Sequence, residues 1–121
     1  NIYLRAYMMG MSRREITAKI DDIAEFTELG DFLALPMRTY SAGMYARLAF
    51  AVSTSAHHDI LLIDEGVGAG DASFQKKAKQ RIESLFDRTP IVILATHAEG
   101  LIAEFCNRRV HMEHGVLKSG A

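Results

Sequence analysis

The chain has 121 residues, 49 % of them hydrophobic, and sets 14 basic against 15 acidic residues for a formal net charge of −1. That length allows at most one domain, and the balanced charge excludes a generally basic nucleic-acid surface. Apolar runs such as AFAV (49–52) and IVILA (91–95) fall far short of the ~20 residues needed to cross a bilayer. The single cysteine, Cys106, can form no internal disulfide, and with no signal peptide ahead of Asn1 a reducing, cytosolic compartment is expected.

Residues 1 to about 56 read as helical, without strand-like alternation. The opening NIYLRAYMMG is already in a helical pattern, so the chain is expected to start inside a domain. In SRREITAKIDDIAEFTELG, Ser12 is the predicted N-cap and Glu15, three residues later, completes a capping box. Ile16, Ile20 and Ile23 then share one face, with Gly30 as the expected stop. Pro36 breaks the next segment, DFLALPM.

TYSAGMYARLAFAV (39–52) follows, in which Ser41, Ala42 and Gly43 form a small turn ahead of a helix predicted from Met44 to about Ser55. Two readings fit this turn. Ser41 is an ordinary N-cap for a helix whose Met44, Leu48 and Val52 repeat every four positions. Alternatively, small residues there let an anion such as phosphate approach the unpaired amides of the helix start.

The second half changes character. DILLIDE (59–65) and IVILATH (91–97) are short aliphatic runs with polar ends, the pattern of parallel strands buried on both faces. Between them DASFQKKAKQRIESLFD carries Phe74, Ala78, Ile82 and Leu85 at helical spacing, with Asp71 as N-cap, so a right-handed strand–helix–strand crossover is predicted. AEGLIAEFC reads as a further helix, and RRVHMEHGVLK as two short strands turning near Gly115. KKAKQR (76–81) reads as the solvated face of its helix rather than a nucleic-acid patch. His57 and His58 are expected in the turn before the first strand. His111 and His114 are expected in a strand, on opposite faces, which argues against a shared metal.

In an open parallel sheet, ligands bind beyond the carboxyl ends of the strands, which here carry Asp64 and Glu65 on one strand, Thr96 and His97 on the other. Adjacent carboxylates after four aliphatic residues fit Mg²⁺ on a nucleotide, with Asp64 in the ion's shell and Glu65 orienting the attacking water. His97 is placed to hydrogen-bond a terminal phosphate. Solvated strand ends are the plainer alternative. GVGAGD (66–71), with three glycines in six residues, reads as a tight loop or as one that packs on a partner subunit.

Taken in order, YSAGM opening a helix, ILLIDE, GAGD and ATH resemble the second half of an ATP-binding cassette (ABC) transporter ATPase, and the resemblance spans the whole chain. It implies an α/β, partial P-loop NTPase fold: a helical subdomain with the signature motif over 1–55, then the Walker B to H-loop part of the catalytic core over 56–121. By the same likeness Glu65 and His97 are the catalytic glutamate and switch histidine, and Asp64 holds Mg²⁺ through water. Ser41, Ala42 and Gly43 meet the γ-phosphate of ATP held by a second subunit in a head-to-tail homodimer, and Asp71 of the D-loop crosses that interface. YSAGM in place of Leu-Ser-Gly-Gly-Gln, and DEGVGAGD in place of Asp-Glu-Pro-Thr-Ser-Ala-Leu-Asp, look like the bacterial subfamily exporting O-antigen, capsule or teichoic acid. The resemblance thus implies ATP and Mg²⁺ as cofactors and a membrane permease as partner. It also implies peripheral attachment at the cytoplasmic face of the bacterial inner membrane, and no nucleic acid.

A P-loop needs Gly-x-x-x-x-Gly-Lys-Ser/Thr, and no Gly-Lys pair occurs in this sequence. Gln75 and Gln80 fall inside a helix, so neither serves as the family's glutamine between lobes. The chain alone is therefore expected to hydrolyse no ATP, and its sheet to be left with an unpaired, apolar side that makes it marginally stable or prone to aggregate. The rival readings are a non-catalytic, partner-binding piece and a soluble ABC ATPase of DNA repair or translation.

Overall fold

The computed structural model describes residues 1–64 and 71–118. Three helices come first: α1 (Ile2–Met8), α2 (Arg13–Thr27) and α3 (Ala42–Ser55), with two short 3₁₀ turns, Gly30–Ala34 and Met37–Thr39, between the last two. The predicted capping box is present, Ser12 Oγ accepting from the Glu15 amide at 3.3 Å while Glu15 accepts from the Ser12 amide at 2.7 Å. Ile16 and Ile23 are fully buried from this helix, against Ile2 and Ala6 of α1 and Leu48, Ala51 and Val52 of α3. Each such aliphatic side chain removed from water contributes roughly 1.5–3 kcal/mol, so this cluster is the main core of the chain.

α2 ends earlier than the glycine rule predicts. Thr27 is its last residue and Glu28 takes the left-handed cap at φ 56°, while Gly30, at φ 55°, opens the first 3₁₀ turn. The α2 terminal carbonyls of Phe26 and Thr27 accept from Lys77 and Arg47, both from later in the chain. α3 also begins two residues ahead of the predicted Met44, so that Ala42 and Gly43 lie within its first turn and only Ser41 stands outside, as N-cap.

β1 (Ile60–Asp64) and β2 (Ile91–Ala95) pair in parallel around α4 (Ala72–Arg88), in the register Ile60 with Ile91 through to Asp64 with Ala95. One face of this pair, formed by Leu61, Ile63, Val92 and Leu94, is partly buried. The other is bare: Ile60 is 56 %, Leu62 71 %, Ile91 52 % and Ile93 58 % exposed. The expectation of strands buried on both faces is therefore corrected, because among the described residues there is no second layer to cover that side. α5 (Glu99–Phe105) follows, then an antiparallel hairpin of β3 (His111–Glu113) and β4 (Val116–Lys118). Its turn carries His114 at φ 48° and Gly115 at φ 77°, so His114 belongs to the turn rather than to a strand.

The helical part and α4 meet through aromatic rings and cations. Phe26 of α2, Phe50 of α3 and Phe74 of α4 form a mutual cluster with centroids 5.5–6.2 Å apart. Arg81 lies 4.3 Å and Lys77 4.7 Å over the Phe26 ring, and Arg47 lies 4.7 Å over Phe74. KKAKQR is thus only partly a solvated face: Lys76 and Lys79 are exposed, whereas Lys77 and Arg81 are half-buried against α2, Arg81 also pairing with Asp22 at 3.2 Å.

Candidate functional site

The described candidate residues lie at the start of α3, at the carboxyl edge of the parallel pair and at the start of α4. At the start of α3, Ser41 Oγ accepts from the Met44 amide at 3.2 Å and the Ser41 carbonyl from the Tyr45 amide at 3.0 Å. The amides of Ala42 and Gly43, the first of the helix, have no partner within it, as at any helix start. Ser41 and Ala42 are exposed and Gly43 half-buried, and a Cβ added at Gly43 would meet only Ser41 Oγ, at 3.9 Å. The glycine therefore answers to no crowding inside the described chain. Tyr40 fixes the approach to this turn, its hydroxyl donating to the Phe32 carbonyl at 2.6 Å and accepting from the Asn1 side chain at 2.9 Å. A cleft of about 340 Å³ opens beside the turn, lined by Glu28, Leu29, Phe32, Ser41, Gly43, Met44 and Arg47.

The second region is the carboxyl edge of the parallel pair. Asp64 stands opposite Ala95, so its exposed carboxylate lies at the edge where Thr96 and His97 follow. Thr96 Oγ1 accepts from the Ala98 amide at 3.0 Å, a turn that ends the strand and leads into α5. His97 is exposed. Asp64 and Thr96 both line a largely apolar cavity of about 240 Å³ between the covered sheet face and α4 and α5. Glu65 and Gly68 to Gly70 lie outside the described residues.

Asp71, at the start of α4, caps that helix, its Oδ1 accepting from the Phe74 amide at 2.9 Å. Its other oxygen, Oδ2, lies 3.5 Å from Arg47 Nη2. Arg47 was not among the candidate residues, although its position three residues after Met44, in an otherwise apolar helix run, is the one available signal. Its guanidinium also reaches Glu28 Oε2 at 3.3 Å and the Thr27 carbonyl at 3.4 Å. Glu28 Oε1 lies 3.4 Å from Lys77 Nζ. Among the described residues no group of three or more His, Cys, Asp or Glu could hold a metal ion.

No family model matches the sequence. Along 97 % of its length the chain is 48 % identical to the O-antigen export system ATP-binding protein RfbE of Yersinia enterocolitica, covering 49 % of that protein. The homology is to ATP-binding proteins of polysaccharide export. The teichoic acids export ATP-binding protein TagH of Lactococcus lactis is 39 % identical over 98 % of the chain, and the ABC transporter protein AbcA of Aeromonas salmonicida 37 % over 95 %. The chain spans between about a quarter and half the length of these relatives. The homology covers every motif that carried the ABC resemblance, and the helices and parallel pair are consistent with part of an ABC ATPase. No helix among the described residues is long and apolar enough to cross a membrane.

Proposed function

We propose that the chain is part of the ATP-binding subunit of an ABC exporter of a polysaccharide or lipopolysaccharide, working at the cytoplasmic face of a bacterial inner membrane. The observation that carries this reading is the homology along nearly the whole chain to the O-antigen and teichoic acid export proteins. The subunit pairs head to tail with a second copy and binds a membrane permease. Residues 1–55 form the helical subdomain and 56–121 a part of the catalytic core.

Within that reading, Ser41, Ala42 and Gly43 receive the γ-phosphate of ATP bound by the other subunit. Support comes from the exposed N-cap, the open cleft beside it, and the partial positive charge of a helix start. Asp64 presents an exposed carboxylate, which suits Mg²⁺, an ion that is commonly bound through one or two carboxylates plus substrate phosphates while keeping several waters. Asp64 would hold the ion, which when bound would neutralise charge on the phosphates. Glu65 orients and polarises the attacking water, and His97 hydrogen-bonds the terminal phosphate. Asp71 faces the second subunit. The P-loop lysine and hydroxyl have no counterpart in this sequence, so the residues here supply one side of the site.

ATP turnover tests the reading. The full-length protein is expected to hydrolyse ATP in the presence of Mg²⁺, Glu65→Gln to abolish this, and the 121-residue chain by itself to hydrolyse none. A full-length protein without Mg²⁺-dependent ATPase activity contradicts the proposal. Glu65-dependent turnover by the isolated chain contradicts the incompleteness of its site.

A further inference from the structure

Among the described residues, Arg47 lies on the helix that the signature turn opens and pairs with Asp71, and so links the two segments proposed to meet the second subunit. It projects from α3, six residues after the Ser41 cap, and lines the cleft beside that cap together with Ser41 and Gly43. Its guanidinium spreads over three partners on two other elements: the Thr27 carbonyl and Glu28 at the end of α2, and Asp71 at the start of α4. The Phe74 ring lies beneath it, and only 18 % of the side chain is exposed. Two nitrogens thus address two carboxylates from different helices, a task that suits a planar fork. Each carboxylate has a second bond that fixes it, Glu28 to Lys77 and Asp71 to the Phe74 amide.

We propose that Arg47 is a positioning residue that makes the signature turn and Asp71 one rigid unit, so that both segments meet the second subunit's nucleotide in a fixed mutual arrangement. The inference rests on the proposed function, and it assigns to Arg47 no contact with ATP. Removing the guanidinium leaves each segment present but independently placed. The consequence falls on turnover, which needs both segments at once, more than on ATP binding, which rests on the P-loop side.

A double-mutant cycle in the full-length protein reads this directly. Arg47→Met keeps an apolar stem over Phe74 and removes the charge; Asp71→Asn keeps the helix cap and weakens the ion pair. Steady-state ATPase activity is measured for both single variants and the double variant, with thermal melting alongside. The expected result is a fall in kcat of about tenfold for each single variant, with the KM for ATP changed less than about threefold. The double variant should be little worse than the poorer single one. Where Arg47→Met does not fold, Arg47→Gln replaces it in the same cycle. Losses that multiply, or an Arg47 variant with unchanged kcat, overturn the inference while leaving the proposed function standing. A wild-type protein without ATPase activity overturns both.

Discussion

The Lys77 ammonium donates to the Phe26 carbonyl at 2.8 Å, joining the end of α2 to a residue 51 positions later in α4. The same ammonium lies over the Phe26 and Phe74 rings and reaches Glu28, so one side chain caps a helix, stacks on aromatics and pairs with a carboxylate. Lys77→Ala in the full-length protein is expected to cost about 1–2 kcal/mol, since it removes a charge-assisted hydrogen bond and leaves the terminal carbonyl of α2 without its partner. Lys76→Ala, at an exposed neighbour, is expected to stay within about 0.5 kcal/mol. Urea unfolding of the two variants, compared at equal m, measures the difference.

Phe74 is the centre of the aromatic cluster and is 2 % exposed. Phe74→Ala opens a cavity at the joint between α2, α3 and α4 and is expected to destabilise by about 3–5 kcal/mol. Phe74→Leu should recover much of that loss, because it refills most of the volume. Chemical denaturation of both variants checks the order.

The bare sheet face predicts the behaviour of the isolated 121-residue chain. Ile60, Leu62, Ile91 and Ile93 form a contiguous apolar surface on paired strands, so the isolated chain should bind a hydrophobic dye and scatter light at micromolar concentration. Leu62→Lys with Ile93→Lys should reduce both signals. A monomeric chain with a cooperative, reversible melt and no dye binding would contradict this.

Glu15 adds a pH dependence. Its carboxylate accepts from the Ser12 amide, and this bond is the main cause that holds it below its ordinary value of 4.5. A carboxylate with a depressed pKa in the folded state contributes stability that is complete above 4.5 and is lost as pH falls through the folded value. Unfolding midpoints of the wild type should therefore drop more steeply below about pH 4.5 than those of Glu15→Gln, with the curves parallel above it. Denaturant titrations at a series of pH values give the comparison.

Local signals carried much of this architecture. Ser12 with Glu15, Asp71 ahead of Phe74, and the aliphatic runs 60–63 and 91–94 each act over a few residues, and each produced the cap or strand its pattern implies. The helix end at Glu28 was not legible, because its left-handed cap is held by Arg47 and Lys77 from later in the chain. The docking of Lys77 and Arg81 was missed for the same reason, since a run of cations looks solvated until Phe26 is known to lie beneath it. Strand residues with aliphatic side chains on both faces read as buried ones, and an unpaired apolar side was expected only because no P-loop occurs in the sequence. At the site, Asp64 and the pair Thr96 and His97 were legible as strand tips, whereas Arg47 was hidden in an ordinary helical run.

The most direct measurement is the mass of the full-length protein bearing Glu65→Gln, by light scattering, with and without ATP and Mg²⁺. If hydrolysis opens a nucleotide-closed pair of subunits, blocking it should let the pair accumulate, so ATP should double the observed mass. Ser41→Arg, which fills the space beside the exposed cap, should keep the protein monomeric under the same conditions. A mass that ATP leaves unchanged, or a Ser41→Arg protein that pairs as readily as its parent, would contradict a nucleotide shared between this turn and a second subunit.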